Sequence, residues 1–276
     1  MIRACVIGWP IEHSRSPLIH GHWLKVYGIE GSYTTVAVKP EEAADFLRNL
    51  GENGLAGCNV TVPLKEIAYS TAERRDASAL AVGAANTIWL EDATICAANT
   101  DTYGFMTHLE TAAPGWSKNG RPVAILGAGG AARAIAYGFQ QAGVADIVIL
   151  NRTRKRAEAL VAHLGDGLRT ADWAERTRCA DWASVVVNTT TIGMKGEGDL
   201  GLEFFAADPD CVVADIVYLP LETALLKDAK AHGLRTVDGL GMLLHQAVPG
   251  FERWFGVRPD VTPELRRIIL ADLGIA

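Results

Sequence analysis

The sequence predicts an α/β protein of two domains, each built on a mainly parallel sheet. Three observations carry this prediction. Short apolar, β-rich runs alternate with helical patterns along most of the chain, the mark of strands joined by helical crossovers and buried on both faces. At 276 residues the chain exceeds what one hydrophobic core usually fills, a domain averaging roughly 150 residues. In the second half, a glycine-rich turn lies between a strand and a helix, the local order from which doubly wound sheets are built.

In chain order, strands are read at residues 4–8, 32–38 and 57–62, with helices at 17–26 and 40–50 between them. Pro17 suits a first helical turn, where no N–H is needed. A further strand pattern at 85–90 precedes the segment 97–101. The stretch APGWSKNGRP, residues 113–122, is rich in Gly, Pro and polar residues and reads as a domain boundary. PVAIL then forms a strand and residues 127–143 a helix ended by Gly143. ADIVIL, SVVVN and VVADIVY are buried-strand candidates separated by helical stretches such as 153–164, which gives a doubly wound sheet. Residues 240–255 and 262–273 read as helices, with Leu240, Leu243, Leu244, Ala247 and Phe251 on one apolar stripe.

Composition excludes several classes. With 49% hydrophobic and 21% charged residues and a net charge of −6, the chain is globular and lacks the basic face that nucleic acid requires. Cys5, Cys58, Cys96, Cys179 and Cys211 are odd in number and scattered without a CxxC pair, so neither a disulfide framework nor a metal site is expected, and a reducing cytoplasm fits. No apolar run approaches the roughly 18 residues of a membrane helix, and no export signal opens the chain.

The chemistry-bearing residues sit at strand ends. Gly127, Gly129 and Ala132 fit GxGxxG/A between a strand and a helix, where a pyrophosphate can approach the free N–H groups of a helix N-terminus. The next strand, ending LNRTRKR, has Asn151 and Arg152 where a carboxylate for a ribose 2′-OH is usual. A guanidinium there binds a 2′-phosphate that a carboxylate would repel, which selects NADP(H) over NAD(H). Arg154, Lys155 and Arg156 fit a solvated helix face equally well. In the first half, Ser14 and Ser16 stand before a helix, where they either cap it or hold a carboxylate. Asn59, Thr61 and Lys65 follow a buried strand. Asn86 and Thr87, with Asn99, Thr100 and Asp101, either form Asx-turns or complete a site with Lys65. His20 and His22 lack further metal ligands and read as surface residues.

Together these segments resemble the shikimate dehydrogenase family over nearly the whole chain. The resemblance runs through GxPIxHSxSPxxH (Gly8 to His20), NVTxPxK (Asn59 to Lys65), GAxNT (Gly83 to Thr87), NTDxxG (Asn99 to Gly104), GAGGAxxA (Gly127 to Ala134), NRT (Asn151 to Thr153), NTTxxGM (Asn188 to Met194), DxxYxPxxT (Asp215 to Thr223) and GxxMLxxQ (Gly239 to Gln246). It implies a substrate-binding domain of residues 1–105 with 238–276, and a Rossmann-type NADP-binding domain of 106–237. The implied activity is NADPH-dependent reduction of 3-dehydroshikimate to shikimate, in chorismate and aromatic amino acid biosynthesis. The implied catalytic pair is Lys65 and Asp101, with Ser14, Ser16, Asn59, Thr61, Asn86, Tyr218 and Gln246 on the substrate. For the cofactor it implies Gly127, Ala128, Gly129, Gly130, Ala131, Asn151, Arg152, Thr153, Arg156, Thr189, Thr190, Met194, Ile216, Gly239 and Met242. It further implies a cytoplasmic monomer or homodimer acting on a small molecule. A quinate-preferring relative and a catalytically silent NADP sensor are the competing readings; Ser14, Ser16 and Arg152 oppose the first, and Lys65 with Asp101 the second.

The cofactor reading makes a prediction. Arg152→Ala should weaken NADP binding roughly 30- to 1,000-fold, the loss of a charge-assisted bidentate contact, and barely change NAD binding. Cofactor titrations of the two proteins check it, and equal use of NADP and NAD by the unaltered protein would refute it.

Overall fold

The computed structural model describes residues 1–275. They divide into two compact units: Met1–Asp101 together with the segment from Leu244 onward, and Thr102–Leu243. The first unit begins β1 (Ile2–Gly8), α1 (Ser16–Val26), β2 (Gly31–Ala37), α2 (Pro40–Arg48), β3 (Gly57–Val60), α3 (Lys65–Thr71), β4 (Arg74–Arg75), α4 (Ala77–Val82), β5 (Thr87–Glu91) and β6 (Thr94–Ala98). Its sheet has the order β2-β1-β3-β5-β6-β4. Helical crossovers make β1, β2 and β3 parallel. β5 runs antiparallel to both β3 and β6; it meets β6 in a two-residue hairpin in which Asp92 and Ala93 both take positive φ.

In the second unit, α5 (Asp101–Ala112) leads to β7 (Val123–Leu126), α6 (Gly130–Gln141), β8 (Ile147–Leu150), α7 (Arg154–Leu164), β9 (Leu168–Ala171), β10 (Val185–Asn188), β11 (Val212–Asp215), α8 (Ala224–Ala231), β12 (Arg235–Val237) and α9 (Gly239–His245). All pairings are parallel, in the order β12-β11-β10-β7-β8-β9. This is the doubly wound arrangement, whose order reverses between β7 and β10. Its central strands are apolar along their length because both faces are covered: Val123, Ile125, Ile147 and Val185 join one core, and Ala124, Leu126, Val148 and Val186 the other.

Several sequence expectations are corrected. Residues 113–122 lie inside the second unit, linking α5 to β7, so they mark a long turn within a domain. Residues 97–101 hold the end of β6, at Ala98, and the start of a helix, at Asp101. Residues 240–255 form two helices, α9 and α10 (Val248–Phe255), because Pro249 lies in the first turn of α10 and has no N–H to extend α9. After α10 comes α11 (Pro263–Asp272), capped by the Thr262 hydroxyl on Leu265 N–H. The unread strands β4, β9 and β12 are sheet edges of two to four residues, too short to show a period.

The return of α10 to the first unit builds an aromatic layer on one face of its sheet. Phe251 stacks near His20 and meets Trp23 edge-on, and His20 lies 3.9 Å from Tyr33, ring centre to ring centre. Trp254 Nε1 donates to Ile88 O across the sheet at 3.0 Å. Gly57 lies beneath that bond, and a Cβ there would overlap both the indole nitrogen and the carbonyl oxygen. Gly57→Ala should therefore lower unfolding free energy by about 2–4 kcal/mol, from overpacking and loss of a buried hydrogen bond. Denaturant titration checks this, and an unchanged midpoint would contradict the packing.

Candidate active site

In the first unit, two antiparallel pairings bring the ends of β3, β5 and β6 together, and the polar residues lie there. Lys65, first residue of α3, donates from Nζ to Asp101 Oδ2 at 2.7 Å. Asn86 Nδ2 donates to the other oxygen, Oδ1, at 2.9 Å. The Asn86 oxygen accepts from Thr100 N–H at 2.8 Å, and Asn99 Oδ1 accepts from Asp101 N–H at 3.1 Å. The Asp101 carboxylate is thus shared by an ammonium and an amide and cannot swing. Lys65 keeps 28% of its side-chain surface exposed and Asp101 15%, so the pair is reachable by a ligand. The Asx-turn alternative holds for Asn99, whose Oδ1 takes Asp101 N–H two residues on, whereas Asn86 bonds backbone far along the chain at Thr100.

Ser14 Oγ accepts from Ser16 N–H at 3.3 Å, and no side chain caps α1. Ser14 is half-buried and Ser16, the first residue of α1, is buried; Pro17 has no N–H, and the N–H groups of Leu18 and Ile19 go to Arg15 O, so it is the two hydroxyls that remain to meet a ligand. Thr61 and Gln246 are half-buried. Asn59 is buried and faces inward, with Oδ1 bonded by Tyr33 and Nδ2 bonded to Asn86 O and Thr87 Oγ1. His20 is not a surface residue. It is fully buried in the aromatic layer, and burial pushes its pKa down to about 3, the Asn59 amide opposing. The sequence missed this because α1 is apolar on a broad front and His20 falls within it. Among the described residues, no three His, Cys, Asp or Glu side chains gather as metal ligands.

In the second unit, Gly127 follows β7 with φ +117°, and a Cβ there would collide with Thr189 Oγ1. Thr189 binds Leu126 O through both its N–H (2.9 Å) and its hydroxyl (2.7 Å), locking the two strand ends at the point where strand order reverses. Gly129 precedes α6, and no side chain caps that helix. A Cβ on Gly129 or Gly130 would meet nothing within 4 Å, which leaves the first-turn N–H groups approachable. Ala128 and Ala131 are half-buried beside them. At the end of β8, Asn151 Nδ2 bonds Thr153 O at 2.8 Å, shaping the turn into α7. Arg154 pairs with Glu158. Arg152 and Arg156 are exposed and pair with no carboxylate among the described residues.

The loops after β10 and β11 are tied by two residues that carried only motif status in the sequence. Asn188 Nδ2 donates to Asp215 Oδ1 at 2.9 Å, and its oxygen accepts from Thr190 Oγ1 at 2.7 Å. Asp215 Oδ1 also accepts from Val217 N–H, and Oδ2 from Thr223 Oγ1. Ile216 and Tyr218 are half-buried on this loop, and Met194 is exposed on the other. Gly239 lets the start of α9 run against Ile216 and Val217 carbonyls, where a Cβ would overlap. Met242, a turn later, packs on the same core as Ile216.

An ammonium poised on a carboxylate in one unit, and an uncapped glycine turn followed by exposed guanidinium groups in the other, are the working parts of a nicotinamide-dependent dehydrogenase. Residues 6–88 match the shikimate dehydrogenase substrate binding domain, 111–193 the shikimate/quinate 5-dehydrogenase family and 239–263 the shikimate 5′-dehydrogenase C-terminal domain. The chain is 53% identical to the shikimate dehydrogenase (NADP(+)) of Azorhizobium caulinodans, over 99% of this chain and 98% of that one. It resembles the Thermus thermophilus shikimate 5-dehydrogenase in complex with NADP(H) and shikimate (TM-score 0.85, 32% identity, 97% and 100% of the two chains). It also resembles the Corynebacterium glutamicum quinate dehydrogenase in complex with NAD (TM-score 0.88, 28% identity, 98% and 99%). The chain belongs to the shikimate dehydrogenase family.

Asp215 yields a pH prediction. It is 2% exposed, and burial pushes its carboxyl from 3.8 up to about 6, with Val217 N–H, Thr223 and Asn188 pulling back. An acid with a raised folded pKa contributes stability that is present below its unfolded value and lost as pH rises through the folded one. Relative to Asp215→Asn, the native protein should therefore lose about 3 kcal/mol of stability as pH rises from roughly 3 to 7, about 2 kcal/mol of it between roughly pH 4 and 6. Unfolding titrations of both proteins across that range check it; a constant difference would refute it.

Proposed function

We propose that this protein catalyses the reversible NADPH-dependent reduction of 3-dehydroshikimate to shikimate, in chorismate and aromatic amino acid biosynthesis. The observation that carries the reading is the Lys65 ammonium, held 2.7 Å from Asp101 Oδ2 while Asn86 holds Oδ1. Ser14 and Ser16 take the substrate carboxylate, and Thr61, Asn86, Asp101, Tyr218 and Gln246 take its hydroxyls. When bound, NADPH supplies hydride to the ketone carbon. Lys65 then gives a proton to the oxygen that gains negative charge, and takes one from the hydroxyl in the reverse direction. Asp101 orients the Lys65 nitrogen in both directions.

The residues of the second unit fit the cofactor. Gly127, with its positive φ and its contact with Thr189, makes the turn, and Gly129 and Gly130 leave the α6 N-terminus open for a pyrophosphate. Arg152 and Arg156, with Asn151 and Thr153, hold a 2′-phosphate. Thr189, Thr190, Met194, Ile216, Gly239 and Met242 surround the nicotinamide. No described helix is long and apolar enough to cross a membrane. The five buried free thiols support a reducing compartment, and we place the protein in the cytoplasm as a monomer or homodimer.

Lys65→Ala should cut kcat by ~10² to 10⁴ and leave KM for shikimate within a few-fold, as for loss of a proton donor. Steady-state rates with shikimate and quinate, each with NADP and with NAD, test the whole reading. Near-normal turnover by Lys65→Ala would remove Lys65 from the mechanism, and faster turnover of quinate than of shikimate would replace the substrate.

A further inference from the structure

Behind the Lys65–Asp101 pair, and ending on Asn86, lies a buried chain of polar groups, Tyr33, Asn59 and Thr87, to which the proposed reaction gives no role. Tyr33, on β2, donates its phenol hydrogen to Asn59 Oδ1 at 2.6 Å. Asn59 Nδ2 donates to Asn86 O at 3.1 Å and to Thr87 Oγ1 at 3.2 Å. The same Asn86 carbonyl accepts from Val60 N–H at 2.8 Å, which pins it between β3 and β5. Asn86 Nδ2 then reaches Asp101 Oδ1 at 2.9 Å. An asparagine amide has two donor hydrogens. Both of those on Asn59 are engaged inside the protein, and the residue is only 5% exposed.

The direction of this chain is set at both ends of the Asn59 amide, by Tyr33 and by the Asn86 carbonyl. Burial pushes its phenol well above the usual tyrosine range, the Cys5 and Cys58 thiols adding to the effect and Ser16 opposing it. The protonated phenol donates to Asn59 Oδ1 while the Asn86 carbonyl, which can only accept, takes Asn59 Nδ2, so the two partners together fix which way the amide faces. His20 stacks on the Tyr33 ring at 3.9 Å, with the planes 9° apart, and so fixes the height of the hydroxyl.

We infer that Tyr33 and Asn59 are positioning residues: the phenol, with the Asn86 carbonyl, fixes the orientation of the Asn59 amide, and the amide holds the Asn86–Thr87 backbone from which Asn86 grips Asp101, without either residue binding substrate. This replaces the role on the substrate that the family resemblance gives Asn59. The inference rests on the proposed shikimate reaction, since the rates that reveal it are rates of that reaction. Loosening the chain would let Asp101 and Lys65 drift from their alignment, which affects the chemical step more than substrate affinity.

The test compares the unaltered protein, Tyr33→Phe and Asn59→Ala on three substrates: shikimate and the two analogues that each lack one of the ring hydroxyls not oxidised. Tyr33→Phe keeps the ring stack and removes the hydroxyl, and with it the donor to Asn59 and the contact with Ser16. It should lower kcat by about 10-fold, with KM for shikimate and for NADP within about twofold, and by the same factor on every analogue. Asn59→Ala should lower kcat further, again by one factor on all three substrates. If Asn59→Ala is too unstable to assay, Tyr33→Phe alone decides, with thermal unfolding confirming that it is folded at the assay temperature. A penalty that disappears with one analogue would make Asn59 a direct ligand of the missing hydroxyl and overturn the inference. Full turnover by Tyr33→Phe would overturn it as well. An unaltered protein inert towards shikimate would instead defeat the functional reading, and this inference with it.

Discussion

The Asp101 carboxylate is the point on which the first unit converges. One oxygen takes the ammonium of Lys65 and the other the amide of Asn86, so its two acceptors are oriented by groups from different elements. A carboxylate placed this way holds a lysine at one position through a charge-assisted bond. Each donor is in turn fixed from behind. Lys65 begins α3, and its own carbonyl accepts from Ala85 N–H at 2.9 Å; Asn86 is bonded by Thr100, Asn59 and Val60. The rigidity of the pair is thus a property of three strand ends.

The polar groups there are tolerated because almost every one is satisfied. Asn59, Asn86, Thr87, Asn99 and Thr100 are all buried, and each has hydrogen-bond partners within the cluster. A half-satisfied network of this size would destabilise the fold, whereas a complete one specifies a single arrangement. The second unit follows the same rule at the ends of β10 and β11, where the Asn188 amide and the Asp215 carboxylate bind two loops together. Both units therefore separate functions in the same way, with apolar strands for stability and polar strand ends for chemistry.

Close approach of backbones supplies the remaining constraint. Gly127 against Thr189, Gly239 against Ile216 and Gly57 beneath Trp254 are places where any side chain would overlap its neighbour. Two of these lie beside the proposed cofactor residues, where loops from separate strands must converge. The third lets α10 close over the sheet that carries Asn59, so packing far from Lys65 still bears on the network behind it.

The sequence by itself determined the α/β class, the parallel order of strands and helices and the identity of the polar strand ends. Alternating apolar runs and glycine turns are local signals, and a doubly wound sheet follows from them with few alternatives. The charge at Arg152 was legible too, because it replaces an acid at a fixed place after a strand. Tertiary structure alone decided what those polar residues do to one another. Nothing local distinguishes an Asn59 that faces a ligand from one that faces Tyr33 and Asn86, since the partners lie 26 and 27 residues away along the chain. Nor does α1 reveal that His20 is buried, because the aromatic layer over it comes from α10, more than two hundred residues later, and only folding brings that layer into place.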